Sequence, residues 1–303
     1  MKFLQTLGLL VFYTLLLLVI VTSVVYAVFL VTPGIRMELG RYILKYYADV
    51  IGISATGASG GEQLPLWAYW KFYLHWFLNI FVKGDLGYSQ FDGKPFSALL
   101  GAPIRTTLSL AVVSVLLSLF FALGMFVLQL RWKDNLFVRV GIGGFKALSG
   151  LHYIVLSYFV LYGLNLRQPP HWILILIIAV GNGVLADTYT VLKEDFDKLI
   201  NSPFYLGIQT RAGDKIFHLL KPLSLSFSRI MYSKFPAVLG GTFIVEYIMN
   251  VHALGLETIK AVVENDHLKM LVISFLITIL IVVSTVLYHT VQKYVDPRPV
   301  KDL

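Results

Sequence analysis

The sequence predicts an all-α protein that crosses a membrane repeatedly. Residues 8–31, 106–130, 147–166, 168–186 and 270–292 are runs of about twenty residues with few or no charges, the length a helix needs to cross about 30 Å of hydrocarbon. Most charged residues lie in the connections. Only 14% of the chain is charged and 57% is hydrophobic, against about 25% charged in a soluble domain. Soluble helices keep a polar face and have no need of such runs.

The first run contains Val25-Tyr26-Ala27, which loosely suits a signal cleavage site. It is longer than the roughly 7–15 residues of a signal h-region, so it is read as a retained span. A sixth span, about 223–248, is masked by Arg229, Lys234 and Glu246, but its middle, 235–245, is uncharged. The six spans are then about 8–31, 106–130, 147–166, 170–190, 223–248 and 269–292, in one transmembrane domain over 1–303.

Net charge is +8, but the basic residues are spread over short loops and form no stripe interleaved with aromatics. That pattern fits positive-inside topology and no nucleic acid. The inner segments carry Lys2, Arg131, Lys133, Arg139, Lys193, Lys198, Lys215 and Lys293 among others, whereas the two short outer loops hold Arg167 and Lys260. Both termini are therefore expected to be cytoplasmic. With no cysteine, disulfide and thiolate chemistry are excluded.

The long outer loop, 32–105, opens with a Gly/Ser/Ala-rich bend at 52–61. The segment 64–81 follows, dense in Trp, Tyr and Phe. An aromatic helix with few charges suits the membrane–water interface; packing beneath the loop's own cap is the alternative. The longest inner connection, 191–222, starts as a charged continuation of span four. Asn201-Ser202-Pro203 interrupts it, a short helix at 204–211 follows, and Ala212-Gly213-Asp214 turns into a second helix ending at Pro222. A helix–turn–helix between two spans is a candidate docking element.

Four ordered stretches carry a resemblance. Thr32-Pro33-Gly34 follows span one. Lys83-Gly84-Asp85-Leu86-Gly87-Tyr88-Ser89 precedes Gly93-Lys94-Pro95. Leu239-Gly240-Gly241 leads to Glu246 in span five, and Asp296-Pro297-Arg298 closes the chain. Together they resemble the membrane permease subunits of dipeptide, oligopeptide and nickel ABC transporters, over essentially the whole chain. The resemblance implies a six-helix type I importer permease in a bacterial inner membrane, importing peptides or a similar small solute. It also implies a second homologous permease, two ATPase subunits and an outer substrate-binding protein. An exporter of peptides or polyamines, and a regulatory or scaffolding subunit, are the alternative readings. ATP and Mg would sit on the ATPases, since no phosphate-binding loop occurs here, and Gly143-Gly144 belongs to none.

In the implied family a cytoplasmic Ala-rich helix and a following Gly dock on the ATPase. Tyr205 and Gly213 have the expected separation, but Gln209, Thr210 and Arg211 replace small residues. Tyr205, Thr210, Arg211, Gly213 and Asp214 are therefore the coupling candidates. Outside, His252-Ala253-Leu254-Gly255 stands for the family's Pro-Gly-Leu-Gly, and Asp266-His267-Leu268 for Asp-x-Pro.

Three charged groups within spans stand out. Lys234 lies about 16 Å into span five at 1.5 Å per residue, where a cation costs about 3 kcal/mol unless it meets water or a partner. It is a candidate for the translocation path, or a structural lysine paired to another subunit. Glu246 is a second path candidate, with hydrogen bonding to nearby backbone as the alternative. Asp187 and Arg229 lie near the inner ends of spans four and five and suggest an ion pair. The seven histidines have no metal-ligand spacing, and nothing resembles a catalytic triad.

Overall fold

The computed structural model describes residues 2–53, 64–132, 135–166, 169–202 and 215–295. Every regular element among them is helical. The chain divides into two compact units, Met1–Ile104 with Leu256–Leu280, and Arg105–Gly255 with Ile281–Leu303.

In the first unit the uncharged run forms α1, Lys2–Val31. It stops at Thr32, whose backbone is extended, because Pro33 disfavours helix at the residue before it. Pro33 then occupies the first position of α2, Pro33–Ile51, where its missing N–H is tolerated. The two helices are bent 107° apart. The aromatic segment becomes α3, Leu66–Lys83, closed by Gly84 at φ 67°. One α3 face, with Tyr69, Phe72, Tyr73 and Trp76, is buried. Tyr73 stacks on Tyr26 of α1 at 5.0 Å and its hydroxyl bonds Thr22 at 2.7 Å. The opposite face exposes Trp67, Trp70, Leu74, Leu78 and Phe81, so the packed reading holds for one face.

The Lys83–Ser89 motif is a structured loop. The Asp85 carboxylate accepts the Gly87 N–H, and Trp76 donates its indole N–H to the Leu86 carbonyl. Tyr88 pairs with Pro95 in an isolated β-bridge. Ser89 donates to Asp266 at 2.5 Å. Asp266 also accepts the Lys269 N–H at 3.0 Å, which caps the last helix.

The second unit holds most of α4, Phe96–Arg131, then α5, Leu136–Ser149, and α6, Tyr153–Tyr158. A π-helical turn, Phe159–Gly163, continues α6. It is followed by α7, His171–Val180, and α8, Val184–Ile200. The long helix α9, Lys215–Ile248, leads to α10, Leu254–Val263, and α11, His267–Val295. Ala122, Met125 and Phe126 of α4 pack with Val180, Leu185, Tyr189 and Ile230 as its core.

Two expected spans are not continuous helices. The third, 147–166, is interrupted after Ser149, and the flanking helices meet at 95°. The break ends where His152 turns extended and its ring nitrogen accepts the Ile154 N–H, capping α6. The fourth, 170–190, is split at Gly181-Asn182-Gly183 with a 54° bend, because Asn182 and Gly183 adopt positive φ. Its second half runs ten residues past the expected end, to Ile200.

Among the described residues, α4 and α11 are each long and apolar enough to cross a membrane, and up to five crossings result if each bent pair counts once. The helix expected as span five, α9, is long enough at 34 residues but is outside that count. Lys234 and Glu246 interrupt its apolar run.

Candidate translocation site

All the described site candidates fall in the second unit. Helices α8 and α9 are joined by two charged rungs. Lys234 Nζ lies 2.6 Å from Asp187 Oδ2, and Arg229 Nη2 lies 2.8 Å from both Asp195 oxygens. As the sequence rises along α8 it falls along α9, so the helices run antiparallel. The expected partner of Arg229 was Asp187; the structure gives it Asp195. The cause is the length of α8: Asp187 lies 13 residues, about 20 Å, before its end, deep enough to reach Lys234 rather than Arg229.

The rungs differ in exposure. At the Lys234 rung the carboxylate is open, with 59% of the Asp187 side chain exposed and 18% of Lys234. At the Arg229 rung Asp195 is covered and Arg229 is open. A cleft of about 320 Å³ lies beside this second rung, lined by Asp195, Lys198, Ser202, Leu225, Ser226 and Arg229. The coupling candidates Tyr205, Thr210, Arg211, Gly213 and Asp214 lie outside the described residues.

Above the rungs, the two helix breaks bind each other. The Asn182 N–H donates to the Leu151 carbonyl at 2.8 Å and the Gly183 N–H to the Ser149 carbonyl at 2.6 Å. The Ser149 hydroxyl accepts the Ala186 N–H at 3.1 Å. Non-helical backbone at membrane depth persists only where its polar groups find such partners or water. The buried Tyr153 ring presses on Gly181 at one break and on Gly241 of α9, where any Cβ would overlap it. The breaks were missed because apolar counting is blind to backbone angle, although Gly181-Asn182-Gly183 is a turn signal.

Glu246 has no exposed surface. Its carboxylate accepts the Gly255 N–H at 2.7 Å, while the Thr107 hydroxyl accepts the Leu254 N–H at 2.9 Å. Gly255 lies so close that a Cβ would stand 2.6 Å from the Phe243 backbone. The family-like stretch Leu239–Glu246 thus meets His252–Gly255, where the sequence departs from the family pattern, through this hydrogen bond. Among the described residues no group of three His, Asp or Glu side chains is arranged to hold a metal ion.

No family model matches the chain. It is 23% identical over 257 residues to the "Probable peptide ABC transporter permease protein y4tP" of Sinorhizobium fredii, covering 75% of this chain and 79% of that one. It is 21% identical over 260 residues to the metal-staphylopine import system permease protein CntB of Staphylococcus aureus, in strains Mu50 and NCTC 8325, covering 81% and 82%. Along most of its length, and in its ordered motifs, the chain is thus similar to membrane permeases of peptide and metal-import ABC transporters.

Proposed function

We propose that the chain is one half of the membrane pore of an ABC importer for peptides or a similar small solute. A second homologous permease completes the pore, two ATPase subunits carry ATP and Mg, and a substrate-binding protein delivers cargo outside. Six spans cross the inner membrane with both termini cytoplasmic, α9 being the fifth. The segment 204–222, with Tyr205, Thr210, Arg211, Gly213 and Asp214, contacts the ATPase. Lys234 lines the path. The similarity to importer permeases along most of the chain carries this reading.

The test is purification of the complex from its own membrane. ATPase subunits should co-purify, and replacing Gly213 by Trp should leave the chain inserted while uncoupling hydrolysis from transport. Cysteines introduced at Ser59 and Lys215 should be labelled from opposite sides. Absence of an ATPase partner overturns the permease reading; labelling from one side overturns the topology.

A further inference from the structure

In the first unit, the exposed face of α3 carries Trp67, Trp70, Leu74, Leu78 and Phe81. These positions recur every three or four residues and form one stripe along the helix. Two apolar helices fix how deep the stripe lies. Helix α1 ends and α11 begins at one end of the unit, where the Phe29 and His267 rings lie 5.7 Å apart. From that end, α3 touches α1 at Tyr26 and Thr22, about 8 and 14 Å inward at 1.5 Å per residue. It touches α11 at Phe275, about 12 Å inward, through the rings of Trp76, Phe77 and Phe81. The start of α3 stays near the end itself, since the Tyr69 hydroxyl donates to the Arg36 carbonyl of α2. The chain is back at that end by Gly87, whose Cβ position lies 3.6 Å from Leu268. Between those points α3 runs alongside α1, whose own exposed face is apolar at Val24 and Val28.

We propose that α3 dips into the leaflet at this end of the unit and presents its Trp67–Phe81 stripe to lipid acyl chains. The proposal rests only on α1 and α11 crossing the membrane, not on what the protein carries. At that depth beside two spans the solvent is hydrocarbon, which accepts the apolar stripe that water would reject. A protein partner fits worse, because contacts between membrane helices favour small residues and this stripe carries Trp, Leu and Phe. Trp67 and Trp70 lie toward the shallow end, where indoles favour the headgroup level, and Leu74, Leu78 and Phe81 lie toward the deep end. The polar groups of α3 are provided for. Lys71 donates to the Ile51 carbonyl at 2.8 Å, and His75 and Asn79 bond each other at 2.8 Å. Lys83 stands in the last turn, with a stem long enough to reach the polar level.

The test uses the complete complex in lipid vesicles, with nitroxide labels on Trp67→Cys, Leu74→Cys, Leu78→Cys and Lys94→Cys, one at a time. The chain has no cysteine of its own, so the wild-type complex supplies the background. Collision of each label with oxygen, which concentrates in hydrocarbon, is compared with collision with a water-soluble nickel chelate. The oxygen-to-nickel ratio at Leu74 and Leu78 should exceed that at exposed Lys94 several-fold, and Leu78 should exceed Trp67. Nickel ahead of oxygen at Leu74 and Leu78 would put the stripe in water and overturn the proposal. Shielding from both reagents would show a protein partner over the stripe and overturn it equally. A ratio at Leu78 no higher than at Trp67 would remove the dip. Trp70→Cys and Phe81→Cys repeat the comparison on the same stripe where a label disturbs assembly. None of these readings depends on the ATPases, whose co-purification separately decides the permease reading.

Discussion

Ser89 and Asp266, 177 residues apart in sequence, share a buried hydrogen bond of 2.5 Å. Ser89 closes the Lys83–Ser89 motif and Asp266 opens the last helix, so a family-like motif and a stretch that departs from the family pattern are one contact in space. Asp266 satisfies the Lys269 N–H with its other oxygen. Asp266→Ala should therefore lose both a cap, about 1 kcal/mol, and a charge-assisted bond of about 1.5–3 kcal/mol. Ser89→Ala should lose the second and also the bond its hydroxyl accepts from the Asp92 N–H at 3.0 Å. Melting of the purified protein should rank wild type above both single variants, and Ser89→Ala should cost less in the Asp266→Ala background than in the wild type, because the shared bond is already gone.

Gly241 faces the Tyr153 ring at a distance no side chain can share. Gly241→Ala should destabilise by about 1–3 kcal/mol through overpacking. Adding Tyr153→Leu should recover most of that loss, whereas Gly240→Ala, in open space, should be neutral. Yield and melting temperature of the three variants check this ordering.

Burial separates the ion pairs. Lys269 is 3% exposed and lies 2.7 Å from Glu257, so Lys269→Met should cost about 3–5 kcal/mol. The Arg229–Asp195 pair is only partly covered, at 43% and 14% exposed, so Arg229→Met should cost less than Lys269→Met. Burial pulls the Glu257 carboxyl upward, but hydrogen bonds and charge from Lys260 and Lys269 together hold it below the ordinary carboxylate range. A carboxylate lowered on folding contributes stability above its unfolded value, about 4.3, and loses it as pH falls through the folded value. Melting temperature should hold from neutrality to about pH 5 and drop below about pH 4. In Glu257→Gln that acid drop should be smaller.

Glu246 separates two roles by one substitution. As a backbone acceptor for Gly255 it is replaceable by glutamine, whose carbonyl oxygen accepts the same N–H. Glu246→Gln should keep melting temperature and transport close to wild type, and Glu246→Ala should lose about 1–3 kcal/mol. Transport lost in Glu246→Gln with stability intact would assign the carboxylate to the path instead.

Apolar run length made α1, α4 and α11 legible, because lipid imposes length and composition together. Lys234 was legible for the same reason: a cation in such a run demands a partner. Its partner was not. The charged segment Lys193-Glu194-Asp195-Phe196-Asp197-Lys198 continues span four as a helix, as its sequence suggests, but choosing between Asp187 and Asp195 needs the depth of each along α8 and the bend before it. The breaks at Ser149 and Gly181 escaped because their flanks are as apolar as unbroken spans. Glu246 and Gly255 were singled out separately, and only folding shows that one holds the other.

The mutual bonding of the two helix breaks restricts how this part of the protein can move. Separating Leu151 from Asn182, or Ser149 from Gly183, would break backbone hydrogen bonds of 2.8 and 2.6 Å, about 0.5–1.5 kcal/mol each. The four helices around those breaks are tied to one another and should move together, with the pivot placed elsewhere. Cysteines at Leu151 and Asn182 should keep one separation through a full cycle of nucleotide binding and hydrolysis.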